Sequence, residues 1–382
     1  MIHSDPISIY FHWPFCESKC PYCDFNSHVR HAIEQQDWLL GYKRNIQKWF
    51  AKFKKPVIET IYFGGGTPSL MDPSVVSDLI SNIYKYHSVS ENIEVSLEAN
   101  PSSVEIKKFK DYASAGINRI SIGVQSFVDK DLKLLGRLHS AKEAISAINT
   151  SLSIFDNVSF DLIYGRQYQD LKEWEKELQF ALSLGSQHLS LYQLTIENDT
   201  AFSMLFKKGK LKGLPTERLS RKFFLTTEEL CTLSGLKHYE ISNYSLEGYE
   251  CKHNLNYWRC GNFLGIGPGA HGRYQINKNW FSYENIVNPE TWLKKAINGN
   301  LPTNKETVIS NMDHYEEYVI MGLRLREGIS LKKVRKIFGI DFDKDKLNNL
   351  IVLGFVEISN DRLKVLPKGK VLLNQIIKEL LV

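Results

Sequence analysis

From residue 7 to about residue 235 the chain alternates short β-branched runs with longer amphipathic stretches. The runs are "ISIYFH" (7–12), "IETIYF" (58–63), "IEVSLEA" (93–99), "RISIGV" (119–124), "VSFDLI" (158–163) and "HLSLYQL" (188–194). The stretches between them carry a helical period, and several have a readable start. Asp72 followed by Pro73 reads as an N-cap with proline in the first turn, while Ser102 with Glu105, Ser140 with Glu143 and Asp170 with Glu173 have capping-box spacing. Strands that alternate with helices are expected to be parallel, because a tight turn cannot join parallel neighbours and the helical crossover runs in one hand. The expectation is an α/β fold in which six such units make an open sheet or a partial barrel.

The pattern changes past residue 236. The stretch "KHYEISNYSLEGYECKHNLNYWRCGNFLGIGPGAHGRY" is rich in Gly, Asn and aromatics without a sustained helical period, and reads as strands and loops that close the open side of the sheet. Helical patterns return from about residue 305 and are followed by "VEISNDRLKVL", a hairpin turning at Asn360-Asp361. Helices followed by such a hairpin make a small α+β, winged-helix-like unit. A chain of 382 residues exceeds what one core supports, and the expected divisions are 1–235, 236–300 and 301–382.

Half of the six cysteines lie in "WPFCESKCPYCDF", residues 13–25. The N-terminus lacks a cationic stretch followed by a long apolar run, and nowhere are eighteen consecutive residues apolar. Neither a secretory signal nor a transmembrane segment is expected, and the chain reads as cytoplasmic. In that compartment thiols stay reduced, and clustered ones serve metals or catalysis rather than disulfides. Thiolates at Cys16, Cys20 and Cys23 suffice for three corners of a cubane iron–sulfur cluster, with one iron left free of protein; a zinc site completed by a distant His is the alternative. Cys231, Cys251 and Cys260 share no such spacing and read as small buried hydrophobes. A net charge of +5 suits an anionic small molecule or a lipid surface without demanding nucleic acid.

Polar residues recur where the runs end. Gly64, Gly65 and Gly66 follow the second run in an order that is neither a Walker A loop nor GxGxxG, and bring backbone close to whatever lies beside them. Glu98 ends the third run, Gln125 the fourth, Asp161 lies on the fifth, and Tyr192 and Gln193 end the sixth. One polar residue in an apolar strand is satisfied by a structural hydrogen bond, whereas several at one rim of a parallel sheet argue for a shared ligand. Glu98 and Asp161 suit ribose hydroxyls or an amino group, and Arg137 in "LLGRLH" suits a carboxylate.

"CESKCPYC" with "GGGTP" on six strand–helix units resembles the radical S-adenosylmethionine (SAM) superfamily. Within it, "YFHWPFCESKCPYC", "NRISIGVQSF", "DLIYG" and "LSLYQLTIE" are similar to the family of anaerobic coproporphyrinogen III oxidases and heme chaperones, over about residues 5–275 and more weakly beyond. The resemblance implies a partial (β/α)6 TIM-like barrel of the radical SAM type with the winged-helix-like domain appended. It implies that Cys16, Cys20 and Cys23 hold a 4Fe-4S cluster whose free iron is chelated by S-adenosyl-L-methionine. Gly65, Gly66, Thr67 and Glu98 match positions lining that cofactor, and Tyr10, Tyr22, Gln125, Arg137 and Asp161 match further cofactor-contacting positions. The implied chemistry is reductive: one electron splits the sulfonium to methionine and a 5′-deoxyadenosyl radical, while the protein holds the reactants and excludes water.

Two features favour the HemW heme-chaperone branch over the oxidase. The first strand begins about seven residues in, without the oxidase's long N-terminal arm, and "HNLNYW" matches the chaperones' HNxxYW motif. His253, Asn254, Tyr257 and Trp258 are therefore expected to contact heme, an imidazole for the iron and aromatic faces for the macrocycle. Phe25 also stands where the oxidase has a further cysteine. The resemblance then implies a chaperone without coproporphyrinogen oxidase activity, passing heme to respiratory acceptor proteins at the membrane surface; a homodimer is compatible with it. Anaerobic coproporphyrinogen III decarboxylation is the alternative, and nucleic-acid binding by the basic "SLKKVRKIFG" is set below a solvated helix face. One departure stands out: "DLIYGRQYQ" replaces the usual "DLIYGLPGQ", so Arg166, Gln167 and Tyr168 are expected to reshape the loop after strand five.

Overall fold

The computed structural model describes residues 6–30, 32–53 and 56–381. All six runs are strands: β1 (Ile7–Trp13), β2 (Val57–Gly65), β3 (Ser88–Ala99), β4 (Arg119–Gln125), β5 (Asn157–Tyr164) and β6 (His188–Gln193). They pair in chain order and in parallel, with Tyr10 beside Tyr62, Glu98 beside Ser121 and Asp161 beside Ser190. This register brings the C-terminal ends level at one rim.

Side chains alternate strictly on these strands. Thr60 and Tyr62 alternate with Ile61 and Phe63, Glu94, Ser96 and Glu98 with Val95 and Leu97, and Ser159 and Asp161 with Phe160 and Leu162. The apolar set joins the main core under the helices. The polar set meets across the barrel interior, where Tyr62 bonds Glu98, Ser121 bonds Asp161 and Ser159 bonds His188. A period of two usually means one wet face; here the polar face lines the barrel.

Helices α1 (Gln35–Phe50), α2 (Pro73–Tyr86), α3 (Ala141–Leu152), α4 (Leu171–Ser183) and α5 (Glu217–Leu233) cross over the apolar face. Ser140 and Asp170 complete both halves of their capping boxes, and Ser102 accepts from the Glu105 N–H. Asp72 has N-cap dihedrals ahead of Pro73, yet its side chain makes no cap bond; its own N–H donates to Gln35 Oε1 at 2.6 Å.

On one edge β8 (Asn243–Ser245) runs antiparallel beside β6, and β7 (Lys237–His238) runs antiparallel beside β8. On the other, β9 (Asn262–Ile266) runs parallel to β1 and leads into an antiparallel meander of β10 (His271–Ile276), β11 (Asn279–Asn285) and β12 (Thr303–Ile309). The six units thus form the middle of a 12-stranded sheet. The expectation of strands and loops without helix over 236–300 is corrected by α6 (Lys252–Trp258) and α7 (Pro289–Ile297). A seven-residue helix is too short to display a period. Its start is capped from afar, by Glu94, which accepts the Lys252 and His253 N–H groups at 3.0 and 3.1 Å.

The C-terminal part runs α8 (Asn311–Gly322), β13 (Ile329–Ser330), α9 (Leu331–Phe338), α10 (Lys344–Val352), β14 (Val356–Ser359), β15 (Arg362–Val365) and α11 (Leu373–Leu381). It has its own core around Val319, Val334, Leu363 and Ile376. Asn360 and Asp361 both have positive φ, 49° and 65°, the pair of values that a tight type I′ hairpin requires. Among the described residues no helix is long and apolar enough to cross a membrane.

Candidate functional site

At the C-terminal rim of the six strands lies a cavity of about 710 Å³. Its wall takes Cys16, Cys20, Tyr22 and Cys23 from the loop after β1, and Gly65, Gly66 and Thr67 from the end of β2. Glu98, Gln125, Arg137, Asp161, Tyr192 and Gln193 complete it from the remaining strands and loops. The polar rim residues that the sequence singles out therefore do share one space.

The cysteine loop is locked to the glycines by backbone bonds. Gly66 N–H donates to Trp13 O at 2.7 Å and Thr67 N–H to Phe15 O at 2.9 Å. A Cβ at Gly66 would lie 2.7 Å from Phe15 O and 3.0 Å from Cys16 Sγ, so only glycine allows this approach. Gly65 sits at φ 113°, where L side chains are strained. All three cysteines are free thiols. Thr67 Oγ1 donates to Cys16 Sγ and an Arg137 nitrogen to Cys20 Sγ, both at 3.4 Å. Burial pushes the Cys16 and Cys23 thiols up, so forming thiolates there calls for a strong nearby cation. Among the described residues no three His, Cys, Asp or Glu side chains are gathered tightly enough for a single metal ion; the thiols instead ring one wall of the cavity.

Glu98 is held at both oxygens, by the Tyr62 hydroxyl at 2.9 Å and the Gly65 N–H at 3.2 Å. Burial pushes its carboxyl up to about 7, with Asp161 adding to the rise and the two donors opposing it. Asp161 is likewise pushed by burial up to about 6, restrained by Ser190, Ser121 and the charges of Arg119 and Arg137. Arg137 donates to Asn100 Oδ1 at 2.5 Å and to Gly123 O at 2.9 Å, so the arginine is part of the wall rather than a solvated charge. Its Nε and the Oε1 of Gln125 are buried without a partner among the described residues, two unspent hydrogen-bonding atoms at the site.

Three residues that shape the site carry no such role in the sequence pattern, Glu105 being marked there only as a helix cap. Asn100 bridges Arg137 and Thr67, Tyr62 orients Glu98, and the 1% exposed Glu105 receives the Asn100 N–H at 2.9 Å. The signals were present: Asn100-Pro101 directly follows the strand that carries Glu98, and Tyr62 shares its face with Thr60. Conversely, Tyr10 does not reach the cavity. It lies one layer deeper, bonded to His12 Nδ1 at 3.2 Å and stacked on Tyr62 at 6.1 Å.

His253, expected to contact heme, is enclosed by protein. Helix α6 closes the opposite, N-terminal end of the barrel, and His253 is 1% exposed. Nδ1 meets Thr60 Oγ1 and Nε2 meets the Tyr257 hydroxyl, each at 2.6 Å. Burial drives its pKa down to about 3, so the ring is neutral and both nitrogens are engaged. Tyr257 is committed to the same bond and packs on Phe263 at 4.4 Å, while Asn254 and Trp258 keep partial exposure on α6.

In the loop after β5 the three departing residues are all held by the surrounding chain. Arg166 is buried and donates to Glu177 at 2.5 Å, Asp131 at 2.9 Å and Ile163 O at 2.6 Å. Gln167 and Tyr168 reach across to residues 212 and 213, with Tyr168 at φ 61°.

Residues 10–181 match the model of the radical SAM superfamily, and residues 309–372 that of the HemN C-terminal domain. The heme chaperone HemW of Haemophilus influenzae is 35% identical, over 98% of this chain and 97% of its own length. That of Escherichia coli K12 is 32% identical, over 99% of both. A mitochondrial radical S-adenosyl methionine domain-containing protein 1 from Dictyostelium discoideum is 37% identical, over 98% of this chain and 94% of its own. Among solved structures, coproporphyrinogen III oxidase (HemN) from Escherichia coli superposes with a TM-score of 0.82 at 21% identity, covering 99% of this chain and 90% of that one; this likeness concerns the fold.

Proposed function

The chain belongs to the HemW family of the radical SAM superfamily, and from that premise we propose that it is a cytoplasmic heme chaperone that binds heme beside its barrel mouth and hands it to acceptor proteins. A 4Fe-4S cluster and S-adenosylmethionine are expected of this family, and when bound they would supply one-electron chemistry at the sulfonium. Cys16, Cys20 and Cys23 would hold the cluster. The unpartnered Arg137 Nε and Gln125 Oε1, and the room left by Gly65 and Gly66, suit a polar cofactor beside it. Glu98 would take an amino group or hydroxyl, and its elevated pKa lets it hold a proton at Oε when no cation is present. Asp161, through Ser121, keeps the floor polar. Tyr22 and the loop around it cover the wall and limit water.

The observation that carries the heme half is likeness over almost the full length to relatives named heme chaperones. Geometry adds to it: Phe25 and Leu138, 58% and 72% exposed, stand on the rim of the cavity. Bulky apolar groups left in water beside a polar floor offer flat contacts for a macrocycle. The test is a heme titration followed at the Soret band on anaerobically reconstituted protein. Wild type should saturate, and F25S/L138S should weaken uptake about tenfold without changing iron and sulfide content, in line with about 1.4 kcal/mol of lost apolar contact. No uptake by wild type, or conversion of coproporphyrinogen III in the parallel assay, would overturn the chaperone reading.

A further inference from the structure

We propose that His253 is a positioning residue for the cofactor pocket at the far end of the barrel: its imidazole holds Tyr62, and through Tyr62 the Glu98 carboxylate. The inference rests on the reading of the mouth as an S-adenosylmethionine site, not on the heme reading.

The anchoring of His253 is complete. Its backbone N–H is fixed by Glu94 at 3.1 Å, and its two ring nitrogens by Thr60 and Tyr257 at 2.6 Å each. A neutral imidazole satisfies both hydroxyls in either tautomer, since a hydroxyl both donates and accepts. The ring so fixed lies flat on Tyr62, 4.9 Å between centroids and 22° between planes. Tyr62 is held from another side by Tyr10, 6.1 Å away at 25°. Gly64 seals this stack from above: a Cβ there would come within 2.8 Å of Tyr10 and 3.0 Å of Tyr62. Tyr62 therefore has little freedom to turn, and its hydroxyl is aimed at Glu98 Oε1. Among the described residues Glu98 has one other protein donor, the Gly65 N–H at 3.2 Å. Removing the imidazole opens space directly beneath Tyr62, and a ring that settles into that space withdraws its hydroxyl from the carboxylate. Acting as an iron ligand would require His253 to give up a hydroxyl partner and α6 to leave the barrel base, where Glu94 holds it by two N–H groups.

The experiment compares wild type, H253Q, Y62F and the double variant, each with its cluster reconstituted. S-adenosylmethionine affinity is measured by equilibrium dialysis, heme uptake by Soret titration, and stability by urea midpoints of the ligand-free chains. H253Q and Y62F should each weaken S-adenosylmethionine binding five- to fiftyfold. The double variant should lose little beyond the larger single loss, because both act through one carboxylate. Iron content and the Soret maximum should stay as in wild type. S-adenosylmethionine affinity within twofold of wild type in H253Q overturns the proposal, and so does a Soret shift of the kind that loss of an axial imidazole produces. Additive urea midpoints in the H253Q and Y62F cycle also overturn it, with or without a bound cofactor. A wild type that binds no S-adenosylmethionine would instead sink the reading of the mouth, and the urea cycle would still judge the coupling.

Discussion

Glu98 and Asp161 are carboxyls that burial pushes towards neutrality where the barrel opens, to about 7 and about 6. Each binds its proton more tightly folded than unfolded, the ordinary values being 4.5 and 3.8. Their favourable contribution to stability is therefore complete at low pH. It falls as pH rises from the ordinary value to the elevated one, and stays lost above about 7. Each tenfold change in proton affinity corresponds to about 1.4 kcal/mol. E98Q cannot ionise, so ligand-free E98Q should melt higher than wild type at pH 8, with the advantage shrinking towards pH 5. Melting curves at the two pH values decide it, and an advantage confined to pH 5 refutes the burial argument. On the proposed function, an ammonium group arriving beside Glu98 would relieve a carboxylate that burial leaves poorly solvated.

At the scale of elements, the loop after β5 shows how a local departure is absorbed. A leucine or proline there would pack without charge; Arg166 instead needs Glu177 and Asp131, and it has both. Glu177 is also fixed by Ser126 and the Phe127 N–H, each at 2.7 Å, so it ties the loops after β4 and β5 to α4. R166L should leave the buried Glu177 without its cation and destabilise the chain by about 3–5 kcal/mol in urea unfolding. R166L/E177Q should recover a good part of this, because the uncompensated charge is gone. If R166L proves as stable as wild type, the buried pair does not hold the loop. This link matters for the site because Asp131 lies on the short helix Asp129–Leu134, whose end leads into Arg137 through the Arg137 N–H bond to Leu132 O at 2.8 Å.

Across the whole molecule, the winged-helix-like part meets the barrel through ion pairs, Lys370 with Glu228, Arg259 with Glu327 and Arg273 with Glu317. The first is the most enclosed, both side chains being 19% exposed, and Lys370 also lies 3.1 Å from His238 Nδ1. Burial opposes the charge of Glu228, but His238 and Lys370 outweigh it and hold the carboxyl below its ordinary 4.5. Its contribution is therefore present above that pH and lost as pH falls through the lowered value. K370M should reduce stability at pH 7 by about 2 kcal/mol and flatten the acid limb of a stability profile; an unchanged acid limb would exclude this contact as a link between the parts. Much of this architecture was written in the sequence. Period-two alternation on the six runs and local caps such as Ser140 with Glu143 specify strand, helix and order from neighbours in the chain. The cysteine spacing and the polar strand ends likewise mark one rim of the sheet, because parallel register levels those ends. What local pattern could not supply was the fate of "HNLNYW". Its helix is started by Glu94, 158 residues away, and its histidine is claimed by Thr60. A side chain's partners, and so whether it is free to bind anything, are set by which strands close around it, and only the assembled barrel decided that.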